Sequence, residues 1–394
     1  MNTNSPISRR DWLRSSGLLA ASLPALANLT PAMANALPST EASAAMPMVD
    51  EFAPLQTGAM PKLKARLFAN ENPLGISQKA REALIKAIDI GNRYAWEEFD
   101  EMKKLIADKE GVKPENIMLT PGSSEVLLIT AMHFAANSGT VVTSRPTYDD
   151  LLDKTEVFKG RIVSVPLTKT YQYDLAAMKA KINADTKLAY ICNPNNPTGT
   201  IVPPADLAAF AQEVSPTVPV FIDEAYIDFL EPGDRPQLGK LVAEGKNVML
   251  ARTFSKIHGF AGIRLGYVIA QPDMLKTLEK YTTGEFGISI ATLMAGIASF
   301  KDLDWQNHCR TENARAREYT TKALTEMGYE VIPSYTNFML FPIRMKPKTF
   351  EGQMFANGVG IQTRTFGGQS WCRVSIGTMD EMKTFVDAFK KVTS

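Results

Sequence analysis

The stretch KLAYICNPNNPTGTIVPPADLAAFAQEVSPTVPVFIDEAY, Lys187–Tyr226, decides the fold class. It contains two short apolar runs that end at polar residues, with a helix-type repeat of apolar residues between them. Unbroken apolar runs are typical of strands buried on both faces, and a helix that joins two such strands predicts a parallel pair. The same alternation recurs from residue 97 to about residue 270. We therefore predict an α/β protein with a largely parallel sheet covered by helices on both faces.

The pattern changes in the last third of the chain. After a long helical region at about 288–327, the strands become fewer and shorter, and an amphipathic helix closes the chain. This change predicts a large domain over 81–295 and a smaller α+β domain over 296–394. The segment 61–80 is expected to pack with the smaller domain. Residues 37–60, which are rich in Ala, Pro, Ser and Met, are interpreted as a linker.

Composition and charge exclude several classes of function. Of the 394 residues, 45% are hydrophobic and 22% are charged, as is usual for a globular protein, and the formal net charge is +1. A nucleic-acid partner is not expected, because the sequence has no cluster of Lys and Arg. The three histidines and three cysteines are far apart in the sequence, so neither a metal site nor a disulfide framework is expected.

The first 36 residues have the layout of an export signal. The paired Arg9 and Arg10 in SRRDWL precede an apolar stretch and then small residues. The pair resembles the twin-arginine signal, with cleavage expected after Ala34 or Ala36. Export would make the protein periplasmic, with the twin-arginine translocase as a transient partner. The alternative is an amphipathic cytosolic arm, and no segment is apolar for long enough to predict a stable membrane span.

Polar residues follow several of the predicted strands, where ligands of parallel sheets bind. TPGSS, Thr120–Ser124, opens a helix and suits an anion, although such turns are also common connections. CNPNNPTG, Cys192–Gly199, is a stiff polar turn, and FIDEAY ends a strand at Asp223. TFSKIHGFAGIRLG places Lys256 among apolar residues, eight positions before Arg264. Because a buried carboxylate needs a cation, Asp223 indicates a positively charged ligand.

Together these features suggest a phosphorylated pyridine aldehyde as the ligand. Lys256 would bond covalently to the aldehyde, since its apolar neighbours favour an uncharged, nucleophilic amine. Asp223 would keep the ring nitrogen protonated. The groups expected to hold the phosphate are Ser123, Ser124, Thr253, Ser255 and Arg264.

The spacing of NPNNPTG, DEAY, SK and the downstream arginine resembles that of the fold-type I, pyridoxal-phosphate-dependent aminotransferases of class I/II. Within them it is most similar to the histidinol-phosphate aminotransferase-like branch. The resemblance runs from about Ala69 to about Thr378. It implies a seven-stranded, mostly parallel sheet in the large domain and pyridoxal 5'-phosphate as cofactor. It also implies transfer of an amino group between an amino acid, or an amine-bearing metabolite, and a 2-oxo acid.

The same resemblance implies roles for residues around the cofactor. Lys256 would move the proton between the substrate α-carbon and the cofactor, and Asp223 would make the ring an electron sink. Asn196 and Tyr226 would hydrogen-bond the ring oxygen. Tyr148 would stack on the ring face, although packing is the alternative interpretation of this tyrosine.

Three more residues are expected to act at the edges of this site. Tyr94 would reach the cofactor phosphate of a neighbouring subunit, which implies a homodimer, and simple packing is again the alternative. Arg373 would bind the substrate α-carboxylate through two parallel hydrogen bonds. Asn72 lies in the segment that lines the substrate pocket in this family, with its role left open.

The sequence also departs from the family pattern. The loop TFGGQSWC before Arg373 is shorter than expected of biosynthetic histidinol-phosphate enzymes and contains Trp371, and Arg364 is a candidate for binding an acidic side chain or phosphate. Export argues for a periplasmic aminotransferase. The alternatives are a decarboxylase of the phosphothreonine-decarboxylase type, a cytosolic histidinol-phosphate aminotransferase, and a cofactor-binding sensor without turnover. A nicotinamide dehydrogenase is disfavoured, because no G-x-G-x-x-G opens a helix.

Overall fold

The computed structural model describes residues 63–394. The predicted export signal and the whole of the predicted linker therefore lie outside the described residues. The strands are β1 Ala65–Arg66, β2 Ile117–Thr120, β3 Thr140–Arg145, β4 Arg161–Pro166, β5 Thr186–Cys192, β6 Val220–Asp223, β7 Val248–Thr253, β8 Gly266–Ile269, β9 Phe338–Pro342, β10 Val359–Gly360, β11 Gln362–Phe366 and β12 Gln369–Ser375. The helices are α1 Gln78–Ala87, α2 Trp96–Glu110, α3 Ser123–Ala135, α4 Asp150–Val157, α5 Leu175–Lys181, α6 Pro204–Val214, α7 Gly239–Ala243, α8 Pro272–Leu278, α9 Ile290–Lys301, α10 Leu303–Glu326, α11 Pro347–Ala356 and α12 Met379–Thr393.

A seven-stranded sheet in the order β2-β8-β7-β6-β5-β3-β4 forms the centre of the larger core. The neighbours β4, β3, β5, β6 and β7 pair in parallel, whereas β8 is antiparallel to both β7 and β2. The prediction of an α/β fold with a mostly parallel sheet is confirmed. Every residue of β6 and β7 is buried, which explains why these strands read as unbroken apolar runs.

A second core is built around a smaller antiparallel sheet with the order β11-β12-β9. Ala65 and Leu67 belong to this second core, and β1 pairs in parallel with β10. Helix α12 packs Phe385 and Phe389 into the same core. Its start is fixed by a capping box, since the Thr378 hydroxyl accepts from the Glu381 amide and the Glu381 carboxylate accepts from the Thr378 amide.

The larger core extends from Ala80 to Phe300, so it includes residues on both sides of the predicted domain limits at 80/81 and 295/296. Ala80, in the first turn of α1, is buried in the larger core, whereas Ala65 and Leu67 lie in the second core. The described part of the segment 61–80, which begins at residue 63, therefore contributes to both cores. The division into domains itself stays a prediction.

Strand pairing brings the polar motifs to one edge of the large sheet. Cys192 pairs with Asp223, and Asp223 pairs with Ala251, so β5, β6 and β7 end at nearly the same level. The loops that follow these three strands carry NPNNPTG, EAY and FSK. This is the physical reason why motifs about 30 residues apart in sequence lie together.

The part of the chain from residue 63 onward contains no helix that is long and apolar enough to cross a membrane. Over the same residues, no group of three or more His, Cys, Asp or Glu side chains is arranged to hold a metal ion. The three cysteines, Cys192, Cys309 and Cys372, are buried as free thiols.

Candidate active site

Lys256 lies in the loop after β7, at the edge of the sheet where β5 and β6 also end. Its side chain is half-buried. Its amine lies 5.3 Å from the centre of the Tyr226 ring and donates to the main-chain oxygen of Asn70 at 3.4 Å. The flanking Phe254 and Ile257 are buried, as the sequence predicted from their apolar character. The amine is thus held over an aromatic face at the mouth of a largely buried site.

Asp223, the last residue of β6, has an exposed fraction of only 2%. Burial raises the pKa of its carboxyl group from 3.8 to about 7, and this effect is partly offset by a hydrogen bond from the Ala225 amide and by the charge of Lys256. The Ala225 amide donates to Oδ1 at 3.1 Å. A cation placed beside this carboxylate would restore its charged form, and a protonated pyridine nitrogen is such a cation.

Tyr226 follows three residues later and is also buried. Its hydroxyl accepts a hydrogen bond from Asn70 Nδ2 at 3.0 Å. Its ring packs edge-on against Phe338 of β9, with 5.1 Å between the ring centres. Tyr226 therefore connects the large sheet to the smaller one, while the Lys256 amine lies over its ring.

The predicted phosphate-binding residues converge at the start of α3. The N-cap of this helix is Gly122, whose φ is 90° and which has no side chain to cap the helix. The first main-chain amides of the helix therefore have no capping side chain as acceptor. Arg264 lies against that turn, because a Cβ on Gly122 would be 2.2 Å from Arg264 Nη2. Arg264 Nη1 donates to Ser255 Oγ at 3.1 Å, and Thr253 Oγ1 donates to the same oxygen at 3.0 Å.

These groups make a cradle suited to an anion. A helix N-terminus, a guanidinium and two hydroxyls are the donors that bind phosphate in proteins. Ser123 is half-buried in this turn, whereas Ser124 is exposed. The structure thus brings Ser123, Thr253, Ser255 and Arg264 together, with Ser124 at the rim.

Arg373 of β12 is 1% exposed and is held by acceptors from several segments of the chain. Its Nη1 donates to Asn196 Oδ1 at 2.7 Å, and its Nη2 donates to the main-chain oxygen of Phe68 at 3.0 Å and to Gln362 Oε1. Its guanidinium also lies 5.6 Å from the centre of the Phe338 ring. A side chain this deeply buried does not belong to a surface ion pair, and its hydrogen bond to Asn196 places it beside another predicted site residue.

Asn196 thus contacts Arg373, which links the predicted cofactor-binding asparagine to the predicted carboxylate-binding arginine. Tyr148 is half-buried against the larger core, and its main-chain oxygen accepts from the Tyr190 hydroxyl at 3.1 Å. Tyr94 is different, since it is 73% exposed and contacts Trp96 and Phe286. Within one chain it is not brought to the site.

Asn72 uses its polar atoms in contacts beside the site. Its Nδ2 donates to the main-chain oxygen of Ile257 at 2.7 Å and to Cys309 Sγ at 3.3 Å, while its Oδ1 accepts from the Leu74 amide at 3.0 Å. These contacts shape the loop around Lys256. The role of Asn72 towards substrate stays a prediction.

Sequence reasoning missed Asn70, which contacts both Lys256 and Tyr226. It also missed Gln362, whose Oε1 accepts from Arg373 and from Arg364 Nη2, the latter at 2.9 Å. Gln362 pairs directly with Arg373 across the β11–β12 hairpin. A prediction of the hairpin register would have identified Gln362 as the neighbour of Arg373. No local feature of the sequence distinguishes Asn70 from the nearby Asn72.

His258, two residues beyond Lys256, is not part of the group around the amine. It stacks on Phe254, and its Nδ1 is 2.8 Å from Ser299 Oγ. Burial lowers its pKa from 6.5 to about 4. It is neutral at ordinary pH and acts as a packing residue.

The residues present fit pyridoxal phosphate. An amine lies over an aromatic ring, a buried carboxylate with a raised pKa calls for a cation, and a glycine turn with Arg264 suits a phosphate. When bound, this cofactor supplies an electron sink for carbanion chemistry. The fold and this donor set define the class of pyridoxal-phosphate-dependent enzymes of fold type I.

Comparison with known families leads to the same class. The family described as aminotransferase class I and II matches residues 64–389, so the chain belongs to this family. A histidinol-phosphate aminotransferase of Moorella thermoacetica is 35% identical over 329 residues, which cover 83% of this chain and 85% of that protein. A histidinol-phosphate aminotransferase 1 of Dechloromonas aromatica is 34% identical over 329 residues, which cover 83% of this chain and 89% of that protein.

Solved structures agree with the fold. Histidinol-phosphate aminotransferase from Sinorhizobium meliloti, in complex with pyridoxal-5'-phosphate, superposes with a TM-score of 0.77 at 25% identity, covering 89% of this chain and 98% of that chain. An aspartate aminotransferase double mutant of Thermus thermophilus has a TM-score of 0.73 at 19% identity, covering 84% of this chain and 92% of that chain, and supports the fold alone. The chain is a pyridoxal-phosphate-dependent aminotransferase, and both the enzyme class and the cofactor predicted from sequence are confirmed.

Proposed function

We propose that this aminotransferase moves an amino group between an α-amino acid, or an amine-bearing metabolite, and a 2-oxo acid at the site that contains Lys256 and Arg373. One arrangement carries the proposal. The Lys256 amine lies over the Tyr226 ring, the Arg373 guanidinium lies over the Phe338 ring, and the two rings are in contact. The Lys256 amine, as the nucleophile, and the Arg373 guanidinium, as the group that binds the carboxylate, thus lie on either side of two rings that pack on each other.

In this proposal each side chain has a defined task. Lys256 holds the cofactor and takes or returns the proton at the substrate α-carbon, and Asp223 accepts the hydrogen bond of the protonated ring nitrogen. Arg264 and Ser255 bind the phosphate at the start of α3. Arg373 orients the substrate through its α-carboxylate. Asn196, which already accepts from Arg373, couples the substrate end of the site to the cofactor end.

The pair Arg373 and Arg364 supports a substrate with a second anionic group. Gln362 Oε1 accepts from both guanidinium groups, so the two cations are held next to each other. An acidic side chain or a phosphate would complement such a pair. The relatives named histidinol-phosphate aminotransferase supply a further candidate, histidinol phosphate, whose phosphate would take the place of the α-carboxylate at this pair of arginines.

We also propose that the enzyme is a homodimer, with Tyr94 reaching the cofactor phosphate of the other subunit. Support comes from a surface group that we call the aromatic surface, which consists of Tyr94, Trp96 and Phe286. Its members are 73%, 61% and 57% exposed and contact one another. Ile85 and Ile88 of the preceding helical region are exposed as well. Large apolar groups clustered on a surface are typical of a protein interface.

Export by the twin-arginine route remains part of the proposal. It rests on the sequence around Arg9 and Arg10, which lies outside the described residues. This route suits a cofactor enzyme, because the cofactor can be bound before the protein crosses the membrane. Fractionation of cells that express the native chain and an Arg9→Lys, Arg10→Lys variant tests it. A native chain that stays cytosolic would favour the cytosolic alternative instead.

A spectroscopic experiment tests the activity. The purified protein is loaded with pyridoxal phosphate and incubated with a panel of amino acids and with histidinol phosphate, while the absorbance of the bound cofactor is followed. We expect at least one anionic amino donor to bleach the band and a 2-oxo acid to restore it. Release of carbon dioxide without any need for a 2-oxo acid would instead identify a decarboxylase.

A further inference from the structure

Asn70 makes hydrogen bonds in the site through both its main chain and its side chain. It is 1% exposed and adopts a left-handed backbone conformation with φ of 51°, which asparagine tolerates better than most residues. Its main-chain oxygen accepts from Lys256 Nζ at 3.4 Å and from Asn337 Nδ2 at 2.9 Å. Its side-chain amide contacts Tyr226 on one side and Ser375 on the other. One residue thus joins the lysine, the tyrosine and the smaller sheet.

Ser375 fixes which way the Asn70 amide points. The main-chain N–H of Asn70 donates to Ser375 Oγ at 2.8 Å, so that oxygen acts as an acceptor there. The hydroxyl hydrogen of Ser375 is then directed to Asn70 Oδ1, which lies 2.9 Å away. Because Oδ1 is the acceptor facing Ser375, the donor Nδ2 is the atom that faces Tyr226.

The orientation of the amide has a consequence for Tyr226. Nδ2 donates to the Tyr226 hydroxyl at 3.0 Å, so the hydroxyl oxygen accepts this hydrogen bond. A phenol has a single hydrogen to donate. That hydrogen is therefore directed to a different acceptor and cannot be used on Asn70.

We propose that Asn70 is a positioning residue that, through the chain Ser375–Asn70–Tyr226, directs the Tyr226 proton to the ring oxygen of the bound cofactor. The inference rests on the proposed function in one respect, namely that Tyr226 hydrogen-bonds this oxygen. A hydrogen bond from Tyr226 stabilises negative charge on the ring oxygen. It thereby lowers the pKa at which the lysine-bound cofactor loses its proton.

The test is a pH titration of the absorbance of the holoenzyme. In an Asn70→Asp variant the side chain has nearly the same shape, but a carboxylate can only accept, so Tyr226 must donate to it instead of to the cofactor. We expect the pKa read from the cofactor absorbance to rise by about one pH unit or more. An unchanged pKa would overturn the proposal.

A measurement in a Tyr226→Phe background distinguishes the hydrogen-bond chain Ser375–Asn70–Tyr226, which we call the relay, from the effect of the new negative charge. The new carboxylate would also raise that pKa by its charge, and this effect does not need a tyrosine hydroxyl. We therefore expect most of the shift caused by Asn70→Asp to disappear when it is measured in a Tyr226→Phe background. A shift of equal size in both backgrounds would show that Asn70 acts by charge alone and would contradict the relay.

Ser375→Ala provides a variant that introduces no charge. It removes the donor that orients the amide, so the Asn70 side chain can rotate, and we expect a smaller rise of the same pKa. A purely structural role would lower the melting temperature without moving this pKa. The comparison with Lys256→Ala distinguishes failure of this proposal from failure of the proposed function. If the native protein and Lys256→Ala have the same spectrum, no cofactor is bound to Lys256 and the proposed function fails.

Discussion

The groups around Lys256 and the aromatic surface around Tyr94 differ in how far a single chain completes them. Around Lys256, buried polar side chains satisfy one another, as when Arg373 donates to Asn196 and Asn70 donates to Tyr226. At the aromatic surface, Trp96 and Phe286 pack on each other at 5.2 Å between ring centres and still remain more than half exposed. The hydrogen bonds of the first region are made largely within one chain, and the cofactor and the Tyr94 proposed to come from the other subunit would add to them. The second region is left largely uncovered by its own chain.

The difference follows from the energetics of each kind of group. A buried charge or amide without a partner costs several kcal/mol, so the interior of the site must be satisfied within the fold. An exposed aromatic ring costs only its lost hydrophobic stabilisation, about 25 cal/mol per Å². One chain can therefore fold with the aromatic surface uncovered, and a second copy can cover it later.

The largest effect is expected at the interior. Lys256→Ala removes both the covalent attachment of the cofactor and the group that moves the proton, so we expect transamination to fall by about four orders of magnitude or more. Loss of the absorbance of the lysine-bound cofactor should accompany it. The matched control is Lys240→Ala, an exposed lysine on the same domain, which should leave rate and spectrum unchanged. Comparable activity in the two variants would contradict the assignment of Lys256.

Asp223 should make the apoprotein sensitive to pH. Its folded-state pKa of about 7 lies above the ordinary 3.8, so the folded state binds more protons in this window and stability falls as pH rises through it. Above pH 7 the free energy of unfolding of the native apoprotein should be lower than that of the Asp223→Asn apoprotein by about 4 kcal/mol. Near pH 4 this difference should vanish. Urea unfolding of both apoproteins across this range measures it.

The same experiment with cofactor sharpens the comparison. Bound pyridoxal phosphate would, under the proposed function, place a cation beside Asp223, so the pH-dependent loss of stability should be largely removed in the native holoprotein. A loss of stability that persists after loading would mean that the ring nitrogen lies elsewhere.

Arg373→Lys should have an intermediate effect on substrate binding. Lysine keeps the charge but loses the planar fork, and charge-assisted hydrogen bonds of this type contribute about 1.5–3 kcal/mol. We therefore expect KM for an amino acid to rise by roughly 10-fold to 100-fold, with a smaller change in kcat. Arg344→Lys, which alters an arginine bonded to Gly328 at the surface of the smaller domain, is the control. Equal KM values for all three proteins would rule out Arg373 as the carboxylate-binding residue.

The smallest expected effect is at the aromatic surface. Trp96→Glu should weaken self-association by about 2 kcal/mol, or roughly 30-fold, because tryptophan is a frequent centre of binding energy. Sedimentation equilibrium measures the change. Val157→Glu is the matched control, since this apolar residue is 65% exposed on α4, away from the aromatic surface. A native protein that is monomeric at micromolar concentration would remove the reason for the homodimer.

Much of the site could be predicted from sequence because parallel strands align their carboxyl ends. Asp223 is the last residue of β6 and Lys256 lies in the loop just after β7, and a short polar motif marks each of these ends. Arg264 could be predicted from the resemblance of its spacing. In each case the informative residues are local in sequence, and the sheet brings them together by a general rule.

Asn70 and Gln362 could not be predicted in this way. Asn70 reaches Tyr226 across 156 positions and Ser375 across 305, and no local pattern distinguishes it from Asn72. Gln362 lies beside Arg373 only because of the register of the β11–β12 hairpin. The packing of Trp371 on Phe366 and Tyr171 is likewise a property of the folded hairpin.

The sequence by itself determined the α/β class, the cofactor and the strand ends that carry its ligands, because apolar periodicity and motif spacing are local properties of the chain. Only the tertiary structure decided how the substrate end of the site is built. There Arg373, Asn196 and Asn70 come from three distant segments, and their hydrogen bonds depend on how the smaller sheet packs against the larger one. The direction in which each of these polar groups donates follows from that packing.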